Sequence, residues 1–412
     1  MFVYNKSTFL LHIVFYVYIS LLILKSYFHF NDGVQDIVVM LFISFTLFFY
    51  PIKLGRAFRF LFREAFFKVS TIFVLYFIIL TIFSYNSLFL IFLEFLSIFK
   101  WLIYFFLGYL FSSVYNVKYI HFPLKNDMSI FVVFLLVYSA LFYNWSGIGG
   151  VSELFGFYGN SFESLFSLRS VFALFAFLVF VYALNYITVC RVTSLFLLSS
   201  SFIFLFMSGN RKMLLAVLLV FMFMNVPKKF KKIMRVIKLT GFIILIAVIS
   251  KSSLFQQSIT EYSNIEQPRI ATYRASILIA KDFFPFGSGP ATFASKGSMT
   301  NYSYLYEDYD LDTRWGFRPD DEVHFYNDTY WAQVISQYGL LGVFLILWIL
   351  FEIKKILPES KLFVSYKLQI YVFLLISLVT PALQRIEVAL FVFFVIGIIT
   401  QINKRKLRMQ HA

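Results

Sequence analysis

Apolar stretches of about 15 to 26 residues recur along the whole chain, separated by short polar turns and by one polar segment of about 80 residues. A helix needs about 20 apolar residues to cross a hydrocarbon layer about 30 Å thick, so stretches of this length predict membrane spans. Twelve predicted spans fall near 8–24, 34–50, 69–86, 88–113, 129–144, 170–188, 192–208, 212–226, 237–254, 335–352, 367–382 and 386–402. Glu94 and Lys100 interrupt a long stretch, and those near 212 and 237 are short, so eleven or thirteen spans fit the pattern as well. The expectation is an all-α polytopic membrane protein. Nine spans with short loops occupy 1–251, a large outer loop occupies 252–334, and three more spans with a basic tail occupy 335–412.

Composition strengthens this reading. The chain is 60% hydrophobic, with 58 Phe and 27 Tyr, where soluble domains hold roughly 45 to 50% apolar residues. Its mean hydropathy is +0.79. Charge adds an orientation, because short cytoplasmic loops retain Lys and Arg. Loop 51–68 holds Lys53, Arg56, Arg59, Arg63 and Lys68; loop 227–238 reads "PKKFKKIMRVIK"; loop 353–367 holds Lys354, Lys355, Lys361 and Lys367; the tail reads "NKRKLR". With twelve spans, all four lie on one side together with both termini, which places that side in the cytoplasm. The net charge of +15 is therefore mostly a topological signal and does not call for nucleic acid. Cys190 stands alone, which excludes an intramolecular disulfide. The first apolar stretch has no A-x-A-like site and is expected to be an uncleaved anchor. No G-x-x-x-x-G-K-[ST] loop is present, so nothing implies nucleotide coupling.

The outer face then receives three longer segments, 25–33, 145–169 and 252–334, and a loop as long as the last is where function is expected. It opens on "IEQPRIATYRASILIAKDFFPFG", where Ile270, Tyr273, Ile277 and Ile279 predict a partly amphipathic helix over the membrane mouth, broken at Pro285 and Gly287. Basic residues on this side run against the charge rule. Arg211 and Lys212 sit in the short turn "FMSGNRKMLL", Arg269 and Arg274 in the large loop, and Arg385 in "TPALQRIE". Each has an ordinary reading as a snorkelling or paired side chain. Together they read as a clamp on an anionic group, since the guanidinium fork matches phosphate oxygens and keeps its charge.

The loop ends at His324, one of five histidines, about a dozen residues ahead of an apolar run. With an ordinary pKa near 6.5 it offers a neutral fraction that can accept a proton, against the alternative of a loop histidine that only bonds a neighbour. Trp315, Tyr326, Tyr330 and Trp331 lie close by in sequence, as sugar-stacking rings or as an interfacial aromatic belt. The runs Asp308, Asp310, Asp312 and Asp320, Asp321, Glu322 are acidic loop clusters of the kind that is usually solvated, so no metal and no cofactor is expected. Glu94 and Lys100, inside an apolar stretch, are expected to pair across helices.

These residues resemble the bacterial O-antigen polymerase (Wzy) and O-antigen ligase (WaaL) superfamily. The resemblance rests on "SGNRK" between two central spans and on arginines in "PRIATYR" opening a large outer loop. It continues through "FPFGSGPATF" and ends on His324 and Asn327 before "QYGLLGVFLILW". The family often places Asn directly after His and an acidic residue where Gln337 and Tyr338 stand here. The resemblance implies glycosyl transfer from an undecaprenyl-pyrophosphate-linked glycan to a sugar hydroxyl at the outer face of the inner membrane. It implies His324 as base and Arg211, Arg269 and Arg274 on the pyrophosphate. Asn327, Tyr330, Arg169 and Arg318 would be substrate contacts, and a chain-length regulator protein a further partner. Polymerase is favoured over ligase. A flippase would show two halves related by a repeat, which the chain lacks, and a membrane acyltransferase would place its His and acidic partner on the cytoplasmic side.

Overall fold

The computed structural model describes residues 32–82, 84–115, 169–186, 191–207, 268–321, 329–357, 366–378, 380–385 and 388–411, with the isolated positions 13, 14, 17, 132, 213, 216, 217, 220 and 325. Among the described residues every regular element is helical. The longer ones are α1 (Asp32–Phe48), α2 (Pro51–Leu61), α3 (Ala65–Thr81), α4 (Leu88–Tyr115), α5 (Arg169–Tyr186), α6 (Arg191–Met207) and α7 (Pro268–Asp282). Two short helices, α8 (Lys296–Thr300) and α9 (Leu305–Asp308), precede α10 (Tyr330–Ile356) and α11 (Tyr366–Ile376), and a wide π turn over Ala389–Phe394 leads into α12 (Val395–His411).

Two of the described helices, α4 and α10, are long and apolar enough alone to cross a membrane, and α1 with α2, bent by 107° at Tyr50, makes a third if the pair is one span. The remaining predicted spans are shorter apolar helices, such as α3 and α11, or lie largely outside the described residues, as 8–24, 129–144, 212–226 and 237–254 do. The outward side chains suit a hydrocarbon solvent: Ile72, Leu75 and Ile79 on α3 and Phe344, Leu347 and Phe351 on α10 are all exposed.

The helices alternate in direction between two chemically different ends. At one end Lys404 of the tail pairs with the buried Glu64. The Asn403 amide donates to Ile356 O at 2.8 Å and the Arg405 guanidinium to Ser112 O at 2.6 Å. Loop 51–68, the end of α10 with Lys354 and Lys355, and the tail therefore meet at that end; residues 358–365 of the third basic segment and all of 227–238 lie outside the described residues. The opposite end carries residues 84–88, 380–385 and 268–321, joined by Tyr273 Oη donating to Leu378 O at 2.7 Å and Ser84 Oγ to Pro290 O at 2.8 Å.

The centre of the body is α4, which packs on α1, α2 and the 389–411 helix and meets α3 through the ring pairs Phe66–Phe105, Phe73–Phe99 and Phe77–Phe95. A Cβ on Gly108 would lie 2.0 Å from Phe394 O, and one on Gly397 would lie 2.1 Å from Phe105 O. The two backbones thus touch where only hydrogen fits, as small residues allow in apolar helix pairs. Gly108→Ala is expected to lower stability by about 1–3 kcal/mol through overpacking. An unchanged midpoint of thermal unfolding for the purified variant would refute the contact.

Residues 268–321 form a cap with its own small core of Ala271, Ala275, Ile279, Phe293, Tyr306 and Phe317. Helix α7 buries Ala271, Ala275, Ser276 and Ala280 against its neighbours, while Ile277 of the predicted stripe is 60% exposed. Small side chains win that face because α7 lies close against α10.

Candidate functional site

The mouth of the body is built where two glycine-bearing stretches cross. Within α10 the backbone leaves helical geometry at Gly339 (φ 59°, ψ −167°). That turn takes the next N–H groups away from the carbonyls four residues back, and buried carbonyls need other donors. The stretch "FPFGSGP" supplies them: Ser288 N donates to Ser336 O at 2.9 Å and Gly289 N to Gln337 O at 3.0 Å, while Leu341 N turns to Pro285 O at 3.4 Å. The Tyr76 hydroxyl of α3 lies 2.8 Å from both Phe286 O and Tyr338 O, so its single proton is shared across the crossing. A Cβ on Gly287 would sit 2.5 Å from Gly339 N, and one on Gly339 would sit 2.3 Å from Pro285 O.

Beyond the crossing the chain turns through Ala291 and Ala294, both at positive φ. Side chains from the body hold it there. Gln337 accepts from Ala291 N at 3.0 Å and donates to Phe293 O at 2.5 Å. Asn86 donates to Ala291 O at 2.7 Å and accepts from the Asn301 amide at 3.2 Å. Ser288 Oγ and Thr292 Oγ1 lie 2.6 Å apart. The Tyr306 hydroxyl pairs with Ser298 Oγ at 2.8 Å and accepts from Ala294 N at 3.2 Å. Burial pushes the Tyr306 phenol well above its ordinary pKa, the Ser298 and Ala294 contacts working against that, so it stays neutral at physiological pH. Burial likewise raises the Tyr273 phenol to about 12, opposed by Thr329.

Beneath the loop lies a chain of buried acceptors. Glu94 of α4, 5% exposed, accepts a hydrogen bond from the Gln333 amide of α10, and Gln333 in turn accepts one from the Gln384 amide. The side chains of Gln337 and Ser295 stand beside the same carboxylate. Gln384 Oε1 is buried and has no hydrogen-bond partner. No basic group pairs with Glu94 among the described residues; the groups around its carboxyl are amides and a hydroxyl. A carboxylate plus an open amide oxygen is a set of acceptors and suits a donor ligand such as a sugar hydroxyl.

The residues singled out from sequence distribute unevenly around this mouth. His324, Asn327 and Arg211 lie outside the described residues. The chain enters and leaves the 322–324 stretch through Asp321 and Phe325, with Phe325 N donating to Gly316 O at 3.0 Å and the Phe325 ring edge-on to Trp315. Arg269 is half-buried and Arg274 exposed on α7. Five positions apart, they point about 140° from each other around that helix, so α7 does not offer them as one fork. Arg318 is exposed but engaged: Nε donates to Asp312 O at 3.0 Å and Nη2 to Thr313 O at 2.7 Å, closing its own turn. Asp321 caps the same turn by accepting from Gly316 N and Arg318 N. Arg169 opens α5. Tyr330 is fully buried with its hydroxyl accepting from Trp101 Nε1 at 3.2 Å, and the Trp331 indole donates to Ser377 Oγ at 2.7 Å. Both rings are spent on packing α10 against its neighbours, so neither is placed to stack on a sugar.

Glu94 does pair across helices, as its position in an apolar stretch implies. Its partners were the part missed. Gln333 and Gln337 stand four apart on one face of α10, a spacing readable in sequence; Gln384 carries no such signal, because only folding brings its turn beside them. No family model and no curated protein matches the chain.

Proposed function

We propose that the protein is a membrane-embedded glycosyltransferase that joins surface-polysaccharide repeat units, moving a glycan from an undecaprenyl-pyrophosphate carrier to a sugar hydroxyl at the loop end of the body. The observation that carries the reading is the buried acceptor chain Glu94–Gln333–Gln384 directly under a loop pinned into the mouth, at the end opposite the basic segments. With the basic end in the cytoplasm of a cell with an inner membrane, the mouth faces outward, where lipid-linked sugars are presented after transport.

In the reaction the acceptor oxygen attacks the anomeric carbon, the bond from that carbon to the pyrophosphate oxygen breaks, and the hydroxyl proton passes to a base. His324 is the base. Arg211 meets the charge that grows on the departing pyrophosphate together with whichever of Arg269 and Arg274 faces it, since α7 turns those two apart. Glu94 and Gln384 Oε1 accept hydrogen bonds from neighbouring sugar hydroxyls and fix the acceptor's orientation.

The test is the surface-polysaccharide ladder of a strain lacking this gene, complemented with wild type, His324→Ala, Arg211→Ala or Glu94→Gln at equal membrane levels. His324→Ala is expected to reduce long chains at least about 100-fold, leaving core with a single repeat unit. Bare core with polymer retained on the carrier would identify a ligase instead. Full ladders from the His324 and Arg211 variants would remove the proposed chemistry.

A further inference from the structure

Helix α2, "PIKLGRAFRFL", has features that the glycosyl-transfer reading does not use. Pro51 opens it, a residue suited to the first turn of a helix, and the axis turns by 107° from α1. A helix that turns so sharply at the end of an apolar one runs across its end and does not continue the span. Around α2, at about 100° per residue, three arcs follow one another. Leu54, Ala57 and Leu61 face the body, with Ala57 and Leu61 buried. Phe58, 38% exposed, comes next, with Phe62, 58% exposed, extending the same arc beyond the helix end. Lys53, Arg56 and Arg59 fall on the remaining arc of about 120°, all three exposed and interleaved with the exposed Ile52 and Phe60.

None of those three cations makes an ion pair among the described residues; Lys53 leans over the Tyr50 ring at 5.0 Å. The one acidic group close by in sequence, Glu64, is buried and taken by Lys404. The result is a set of uncompensated cations among exposed apolar side chains, at the end of the body that also gathers the tail and the end of α10.

We propose that α2 is an interfacial helix that binds the headgroups of anionic phospholipids: Phe58 and Phe62 enter the acyl boundary and Lys53, Arg56 and Arg59 hold lipid phosphates. The side of α2 turned away from the body mixes large apolar side chains with cations, as a surface set between the acyl boundary and the headgroups demands. This rests on the chain spanning a membrane and is independent of the reaction it performs.

The test uses the full chain in vesicles of phosphatidylcholine with about one-fifth phosphatidylglycerol, a fraction that leaves room for surface attraction to act. After mild detergent extraction, the lipids retained by the protein are quantified. Wild type is expected to retain phosphatidylglycerol at least about threefold over its bulk ratio. The triple variant Lys53→Gln, Arg56→Gln, Arg59→Gln should return to near bulk, whereas Lys354→Gln with Lys355→Gln, neutralised at the same end, should stay enriched. Equal retention by wild type and the triple variant, or equal losses in both variants, would overturn the assignment to α2. Should the triple variant not survive extraction, Arg59→Gln alone is expected to lose part of the enrichment, and no loss there overturns it equally.

Discussion

Gly339→Ala is expected to cost about 3 kcal/mol or more, enough to leave little folded protein in detergent. Two costs coincide at this position. A Cβ would be driven to 2.3 Å from Pro285 O and 2.7 Å from Gly287 N, backbone atoms that cannot rotate away. The backbone is also held at φ 59° and ψ −167°, a conformation that side-chain-bearing residues avoid. Relieving either strain means restoring a regular helix, and then Ser336 O and Gln337 O close on their own helix and release Ser288 N and Gly289 N. Thermal unfolding of the purified protein reads the result, with Gly55→Ala as reference. Nothing lies within 4 Å of a Cβ at Gly55, so that helical change should be neutral or stabilising by about 0.5–1 kcal/mol. Equal midpoints for the two variants would mean that the crossing of Gly287 and Gly339 is not present in the folded protein.

The second large effect is expected at Gln337. Leucine there is similar in size but removes both hydrogen bonds to the loop, leaving Ala291 N and Phe293 O buried without partners. Each orphaned group costs about 1–3 kcal/mol, so about 2–6 kcal/mol is expected for the pair. The loss is local in character, because Ser84, Asn86 and the crossing at Gly287 still hold neighbouring parts of the loop. Limited proteolysis should therefore show new cleavage within 285–303 before the global midpoint moves by its full amount. Protection of that stretch identical to wild type would show that Gln337 does not anchor the loop. On the proposed glycosyl-transfer reading, polysaccharide synthesis is expected to fall with the same variant, since the loop lies over the Glu94 chain.

Much of the architecture is legible as a one-dimensional pattern. Long apolar runs predict helices because in hydrocarbon only a helix satisfies its own backbone. Clusters of Lys and Arg predict which turns share an end, and Lys404 with Glu64 and Asn403 with Ile356 bring three of those clusters together. The proline and glycines of "FPFGSGP" and the glycines of "QYGLLG" mark irregular backbone, though nothing in either stretch says that they mark the same place.

Other features depend on contacts that sequence distance hides. Of the predicted apolar stripe on α7, Ile279 is buried and Ile277 exposed, and the rest of the buried face is made by alanines, a threonine and a serine, because close approach to α10 rewards small volume. Tyr330 and Trp331 read as interfacial aromatics, yet their polar atoms found Trp101 and Ser377 and carried both rings into the core.

By itself, then, the sequence determined the helical class, the apolar runs and the gathering of basic segments at one end, all properties of local composition and period. Tertiary structure alone decided that Gly287 would meet Gly339 and that Glu94, Gln333 and Gln384 would form one chain of hydrogen bonds. The reason is physical: a period of 3.6 residues states which face of a helix is buried, but the partner of a buried amide is chosen by whichever distant segment satisfies it when the backbones close.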